Sequence, residues 1–181
     1  MKELKEKQVK SERLYKGTLL GLRRDTVELP NGKQSTREVV EHPGAVAVIA
    51  ITQDKEMVFV RQFRQPTGEV LLEVPAGVPL TGEKGEDAAR RELAEETGYN
   101  AKIVRKIWEG YASPGYSDEL IKFYLALEMN LMQTKPDEDE FVEVELIDVE
   151  ACLELLKTGK IRDNKTMIGV MIAELFLKGE I

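Results

Sequence analysis

Three carboxylates crowd the end of one short amphipathic segment: Glu92, Glu95 and Glu96, within Arg91-Glu92-Leu93-Ala94-Glu95-Glu96-Thr97-Gly98. Ala88, Ala89, Leu93 and Ala94 supply an apolar side and Gly98 a natural stop, so the segment is predicted to be a helix. Glu86 and Asp87 suit the positive end of its dipole, but the three later glutamates sit at the negative end. At spacings i, i+3 and i+4 they share a face and repel one another. Stability alone would favour Lys or Arg in that last turn. A hard divalent cation removes the conflict, because clustered carboxylate oxygens are the donors that Mg²⁺ or Mn²⁺ prefers. A bare Glu-x-x-Glu-Glu is more often a solvated acidic helix end, so the wider pattern has to decide.

That pattern is extensive. Gly77 is followed by five residues, Glu83, seven residues, then Arg91-Glu92-Leu93-x-Glu95-Glu96-x-Gly98, with Tyr99 closing the run. This spacing matches the Nudix box, apart from Tyr99 where an aliphatic residue is more usual, and the chain resembles the Nudix hydrolases. The resemblance implies an enzyme that cleaves a nucleoside diphosphate linked to another group, using Mg²⁺, with Mn²⁺ as a substitute. It implies an α/β fold, an α/β/α sandwich for residues 43–181. It assigns metal contacts to the Ala76 carbonyl, Glu92 and Glu96, with Glu95 in the same cluster. Arg91 then orients the neighbouring carboxylates, and Glu83 either binds metal through water or holds the loop.

Specificity lies outside the box. Leu72-Glu73-Val74-Pro75-Ala76-Gly77 resembles the entry to the box in the ADP-ribose pyrophosphatase subfamily. Ser113-Pro114-Gly115 is the sharper sign, because Pro114 lies 15 residues after Tyr99, where that subfamily carries a marker proline. The resemblance implies hydrolysis of ADP-ribose to AMP and ribose 5-phosphate, with Glu73, Ser113 and Pro114 at the substrate. Arg64 is a candidate for the diphosphate, since guanidinium meets phosphate oxygens bidentately. Arg37 is a candidate for a site in a partner subunit, because these pyrophosphatases resemble one another in being homodimers that exchange an N-terminal sheet. Surface ion pairs are the plainer reading of both arginines. In the acidic run Asp137-Glu138-Asp139-Glu140, position assigns Glu138 as general base and Glu140 as a further metal ligand, in a register open by one or two residues. The rival readings are a Nudix diphosphatase for another nucleoside diphosphate sugar or related dinucleotide, and a non-enzymatic ADP-ribose sensor.

The elements must place these groups. With 181 residues, 42% apolar and 33% charged, the chain is long enough for one good core and a small accessory region. Its single cysteine, Cys152, excludes an intrachain disulfide, and its single histidine, His42, excludes a multi-histidine zinc site. The net charge of −7 argues against a broad hold on nucleic acid. The charged N-terminus lacks the apolar core of a signal peptide, and Ala45–Ile51 is too short to span a bilayer, so a cytoplasmic protein without membrane contact is expected.

Residues 1–10 are expected to be weakly ordered. Arg13–Lys16, Leu19–Leu29 and Thr36–Glu41 read as strands around the Pro30-Asn31-Gly32 turn, giving a small antiparallel sheet over residues 1–42. Ala45–Ile51, Met57–Arg64, Glu69–Val74, Lys102–Glu109, Leu120–Leu127 and Phe141–Leu146 read as further strands. Asp148 is the expected cap of one later helix, and Asp163 or Asn164 of the last.

Overall fold

The computed structural model describes residues 4–132 and 141–181. The chain divides into two compact units.

The first unit comprises the chain up to Gly44 together with Tyr111–Leu120. Its sheet is a meander of β1 (Lys7–Lys16), β2 (Gly21–Glu28) and β3 (Gln34–Glu41), in that order and antiparallel. The expected Asn-Gly turn forms between β2 and β3: Gly32 adopts φ 80° and donates its N–H to the Leu29 carbonyl at 2.8 Å. Residues 7–10, expected to be frayed, are instead strand. Lys7 pairs with Glu28 and Gln8 with Val27, so backbone pairing orders a stretch whose side chains are polar. Val27 and Asp25 are buried, whereas every residue of β1 is exposed. Segment 111–120 joins this sheet through Val40, whose N–H donates to the Tyr116 carbonyl at 2.8 Å and whose carbonyl accepts from Asp118 N at 3.2 Å.

The second unit comprises Ala45–Gly110 and Ile121–Ile181. In chain order it contains β4 (Ala45–Ala50), β5 (Glu56–Arg64), β6 (Glu69–Glu73), β7 (Ala76–Gly77), α1 (Gly85–Thr97), most of β8 (Tyr99–Tyr111) and β9 (Leu120–Leu131), β10 (Val142–Asp148), α2 (Val149–Lys157) and α3 (Asn164–Leu177). One sheet has the order β7-β4-β9-β8 with β4 and β9 parallel, and the other has the order β10-β5-β6.

Alternation along β4 assigns its two faces. Val46, Val48 and Ala50 pack with Ala88, Ala89 and Leu93 of α1. Ala47, Ile49 and Ile51 pack with Val149 and Cys152 of α2 and Val170 and Ala173 of α3. β9 repeats the division, with Tyr124 and Ala126 on the first side and Ile121, Phe123 and Leu125 on the second. The result is an α/β/α sandwich with helices on both sides of buried strands. Asp148 caps α2 by accepting from Glu150 N at 2.8 Å, and Asp163, rather than Asn164, caps α3 by accepting from Thr166 N at 2.9 Å.

Candidate active site

Helix α1 delivers the acidic cluster. Its last turn is closed by Gly98, whose φ of 74° is left-handed and whose N–H reaches the Ala94 carbonyl at 2.9 Å. Its apolar side is fastened into the core by Ala88, Ala89 and Leu93, all fully buried. That anchoring carries Glu92 and Glu96 inward too, to 7% and 4% exposure, whereas the Glu95 side chain is 36% exposed. Glutamates so deeply buried need compensation from partners or from a cation.

Short β7 supplies the opposite wall. Ala76 N donates to Glu96 Oε2 at 3.1 Å. Gly77 lies against the Glu92 carboxyl so closely that a Cβ there would overlap it, which accounts for the glycine that opens the box. Gly85 is required for a similar reason, since a Cβ would run into the Tyr124 hydroxyl.

Arg91 ties the loop to the helix. Its Nε and Nη2 reach the two Glu83 carboxylate oxygens at 3.0 Å each, Nη1 reaches Glu95 Oε2 and Glu92 Oε1 at 2.8 Å, and Nη2 reaches the Val78 carbonyl at 3.2 Å. Hydrogen bonds donated to Glu83, then to Glu95, and the Glu92 charge push its pKa up against the opposing effect of burial. Glu83 also accepts from Leu80 N at 2.8 Å, and the Arg91 guanidinium foremost holds its carboxyl below the ordinary value. Glu83 therefore clamps loop to helix, while Arg91 offsets three carboxylates at once.

On β5 and β6, Arg64 makes a bidentate pair with Glu73, Nε to Oε1 and Nη2 to Oε2, both at 2.7 Å. Glu73 is 1% exposed. Burial alone would push its carboxyl up, but the hydrogen bonds and charges of Arg64 and Lys165 outweigh that and hold it below the ordinary value. Lys165, which the sequence did not single out, also ion-pairs with Glu73, and with Asp163 Oδ2 at 3.0 Å. No sequence signal links Lys165 to Glu73, 92 positions away.

In the first unit, Arg37 and Pro114 line one cavity of about 430 Å³ with Glu6, Tyr111, Tyr116 and Asp118. Arg37 ion-pairs there with Glu6. Ser113 shapes the adjoining turn, its carbonyl accepting from Ser117 N at 2.9 Å. The two tyrosines flank the Ser-Pro-Gly signature, which is the signal that could have marked them. His42 is an ordinary hydrogen-bonded residue whose Nδ1 accepts from Gly44 N at 3.0 Å. Cys152 is fully buried and burial pushes its thiol up to about 12, which leaves no nucleophile there. Glu138 and Glu140 lie outside the described residues.

The donors suit a hard divalent ion. Glu92 and Glu96 bring buried carboxylate oxygens, hard donors, to β7 at Ala76–Gly77. Among the described residues, no three acidic, histidine or cysteine side chains stand together as a complete cage.

Comparison with known proteins agrees with this geometry. The NUDIX domain model matches residues 41–168, and the nucleoside diphosphate sugar hydrolase N-terminal domain model matches residues 6–40. The chain is 44% identical over 177 residues to an ADP-ribose pyrophosphatase of Bacillus subtilis (strain 168), covering 97% of this chain and 96% of that one. It is 41% identical over 176 residues to a methanol dehydrogenase activator of Bacillus methanolicus, covering 96% and 95%. A crystal structure of an ADP compounds hydrolase superposes with a TM-score of 0.87 over 99% of this chain and 98% of that chain, at 21% identity, which speaks to the fold. The chain belongs to the Nudix family and is a Nudix hydrolase. Nudix hydrolases use divalent metal ions. Among the described residues, no helix is long and apolar enough to cross a membrane.

Proposed function

We propose that this Nudix hydrolase cleaves the diphosphate of ADP-ribose with water, giving AMP and ribose 5-phosphate, as a cytoplasmic, Mg²⁺-dependent homodimer in which Mn²⁺ substitutes. The observation that carries this reading is the pairing of a complete box, with Glu92 and Glu96 buried against Ala76–Gly77, and a Ser-Pro-Gly loop whose Pro114 shares a cavity with Arg37. The full-length relative named for ADP-ribose supports the choice of substrate.

The Ala76 carbonyl, Glu92, Glu96 and Glu140 would hold the divalent ion. When bound, it supplies positive charge against the diphosphate oxygens and acidifies water. Glu138 takes the proton from the attacking water. Arg91 keeps Glu92 and Glu95 oriented and Glu83 keeps the loop in place. Arg64 receives the diphosphate with the guanidinium edge that Glu73 leaves open, Ser113 and Pro114 meet the substrate, and Arg37 reaches the partner subunit's site. The chemistry needs position and charge rather than a covalent nucleophile.

The second reading is another nucleoside diphosphate sugar, favoured by the N-terminal domain match at residues 6–40. A substrate panel compared by kcat/KM, with products identified after hydrolysis in ¹⁸O-labelled water, separates the two. ADP-ribose is expected to lead with AMP as product. A tenfold or greater preference for another nucleoside diphosphate sugar would overturn the substrate assignment.

A further inference from the structure

Outside the box, Glu73 is a buried carboxylate held by two cations. It accepts both Arg64 hydrogen bonds, Nε to Oε1 and Nη2 to Oε2 at 2.7 Å, and a second cation, Lys165, closes on the same Oε2. The carboxylate is fully enclosed and the Lys165 side chain is only 13% exposed. Such an arrangement needs both cations, because a buried carboxylate left with one half-exposed guanidinium would rotate or draw in water. Lys165 is itself fixed. It pairs with Asp163 Oδ2, which also accepts from Thr166 N at 2.9 Å and Thr166 Oγ1 at 2.6 Å. Thr166 Oγ1 in turn accepts from Val74 N at 2.8 Å. The first turn of α3 and its cap therefore grip the chain where β6 ends, at two adjacent residues, Glu73 by charge and Val74 by its backbone.

We propose that Lys165 is a positioning residue for diphosphate binding: it locks Glu73, and through Glu73 it fixes the guanidinium plane of Arg64 so that Nη1 faces the substrate. The inference rests on the role given above to Arg64. Nε and Nη2 are committed to Glu73, so the direction of Nη1 follows from how rigidly the Glu73 carboxylate is held. A bidentate fork has one useful orientation, and a contact displaced by about 1 Å loses most of its value.

The test is a mutant cycle on the full chain, with Mg²⁺ present and ADP-ribose as substrate. Lys165→Met should raise KM about tenfold with kcat within about threefold, and Lys165→Arg should restore KM to within about threefold of wild type. In an Arg64→Ala background, Lys165→Met should change KM less than about twofold, because there is no longer a guanidinium to aim. Equal effects in both backgrounds, or loss of kcat alone, would overturn the proposal. A readout without turnover accompanies it: the Arg64 Nε–Hε proton resonance, identified by its disappearance in Arg64→Ala, should shift and broaden in Lys165→Met and recover in Lys165→Arg. An unmoved resonance would also overturn it. If wild type turns over a different nucleoside diphosphate sugar, only the ADP-ribose reading falls, and the same cycle with that substrate decides Lys165. If Arg64→Ala leaves KM unchanged on every substrate turned over, the Arg64 role and this proposal fall together.

Discussion

Glu96 combines 4% exposure with a hydrogen bond from Ala76 N at 3.1 Å, so its position is set by packing and backbone together. Glu96→Gln keeps the size and an amide oxygen for that N–H, but removes the charge. It should leave the circular dichroism spectrum and the melting curve close to wild type while lowering kcat by about a hundredfold or more at saturating Mg²⁺. Near-normal turnover would remove Glu96 from the metal. Gly77→Ala tests the same wall by shape: its Cβ would overlap the Glu92 carboxyl, so activity should fall and the melting temperature drop by several degrees. Glu73 carries a pH prediction. Its folded pKa lies below the ordinary glutamate value, so its stabilisation is complete above that ordinary value and is lost as pH falls through the lower folded one. Urea unfolding of metal-free protein should place Glu73→Gln about 2–4 kcal/mol below wild type at neutral pH, and the gap should narrow steadily below about pH 4. A gap that stays constant down to pH 3 would mean that the ion pairs contribute little. At this scale the box was legible because its residues lie at fixed spacing within one short stretch of chain, from Gly77 to Gly98. Lys165 was not, because its partner is brought to it only by folding.

Helix α3 shows how an element far along the chain supports the site. Thr166 is fully buried and its hydroxyl joins Asp163 to the Val74 N–H. Thr166→Val preserves the shape but strands a buried backbone donor beside the strand that leads to Ala76. It should cost about 1–3 kcal/mol of stability by denaturant unfolding, and Thr166→Ser should recover most of it. Equal stability of the valine variant would show that Val74 N is satisfied otherwise. The existence of the elements was readable from alternation and turn residues: the Asn31-Gly32 turn, the apolar run at β4, and the caps Asp148 and Asp163. Their pairing was not. The parallel alignment of β4 with β9, Ala45 against Ile121 through Ala50 against Ala126, joins segments more than seventy residues apart; β4 is apolar on both faces, and so is β9 over Phe123–Ala126. Nothing in such a run specifies its neighbour. Strand β1 extends through Lys7–Lys10 for the complementary reason: its order comes from backbone pairing with β2, and its polar side chains carry no signal of it.

For the whole molecule the informative surface is the N-terminal sheet. A three-stranded sheet buries little by itself, and here β1 is exposed throughout, with Val9 at 52% and Tyr15 at 59% exposure, and Leu4 just before it is 85% exposed. Leu19 and Leu20, in the β1–β2 turn, are likewise exposed. Apolar residues in such an edge need a second surface, and the proposed symmetric homodimer that exchanges the sheet would supply one while carrying Arg37 to the partner's site. Light scattering of the full chain should therefore give twice the 20.4 kDa monomer mass at micromolar concentration. Arg37→Ala should raise KM and leave that mass unchanged, since it removes a contact made by a half-exposed side chain and not the packing of the sheet. Deleting residues 1–42 is more severe than loss of an interface. Segment 111–120 is bonded to Val40 and to His42 N, which Asp118 Oδ1 accepts at 2.9 Å, so the deletion also strips the Ser-Pro-Gly loop of its supports. The truncated chain should be poorly soluble or monomeric and should bind ADP-ribose weakly despite an intact box. A full-length monomer with undiminished activity would rule out a shared site.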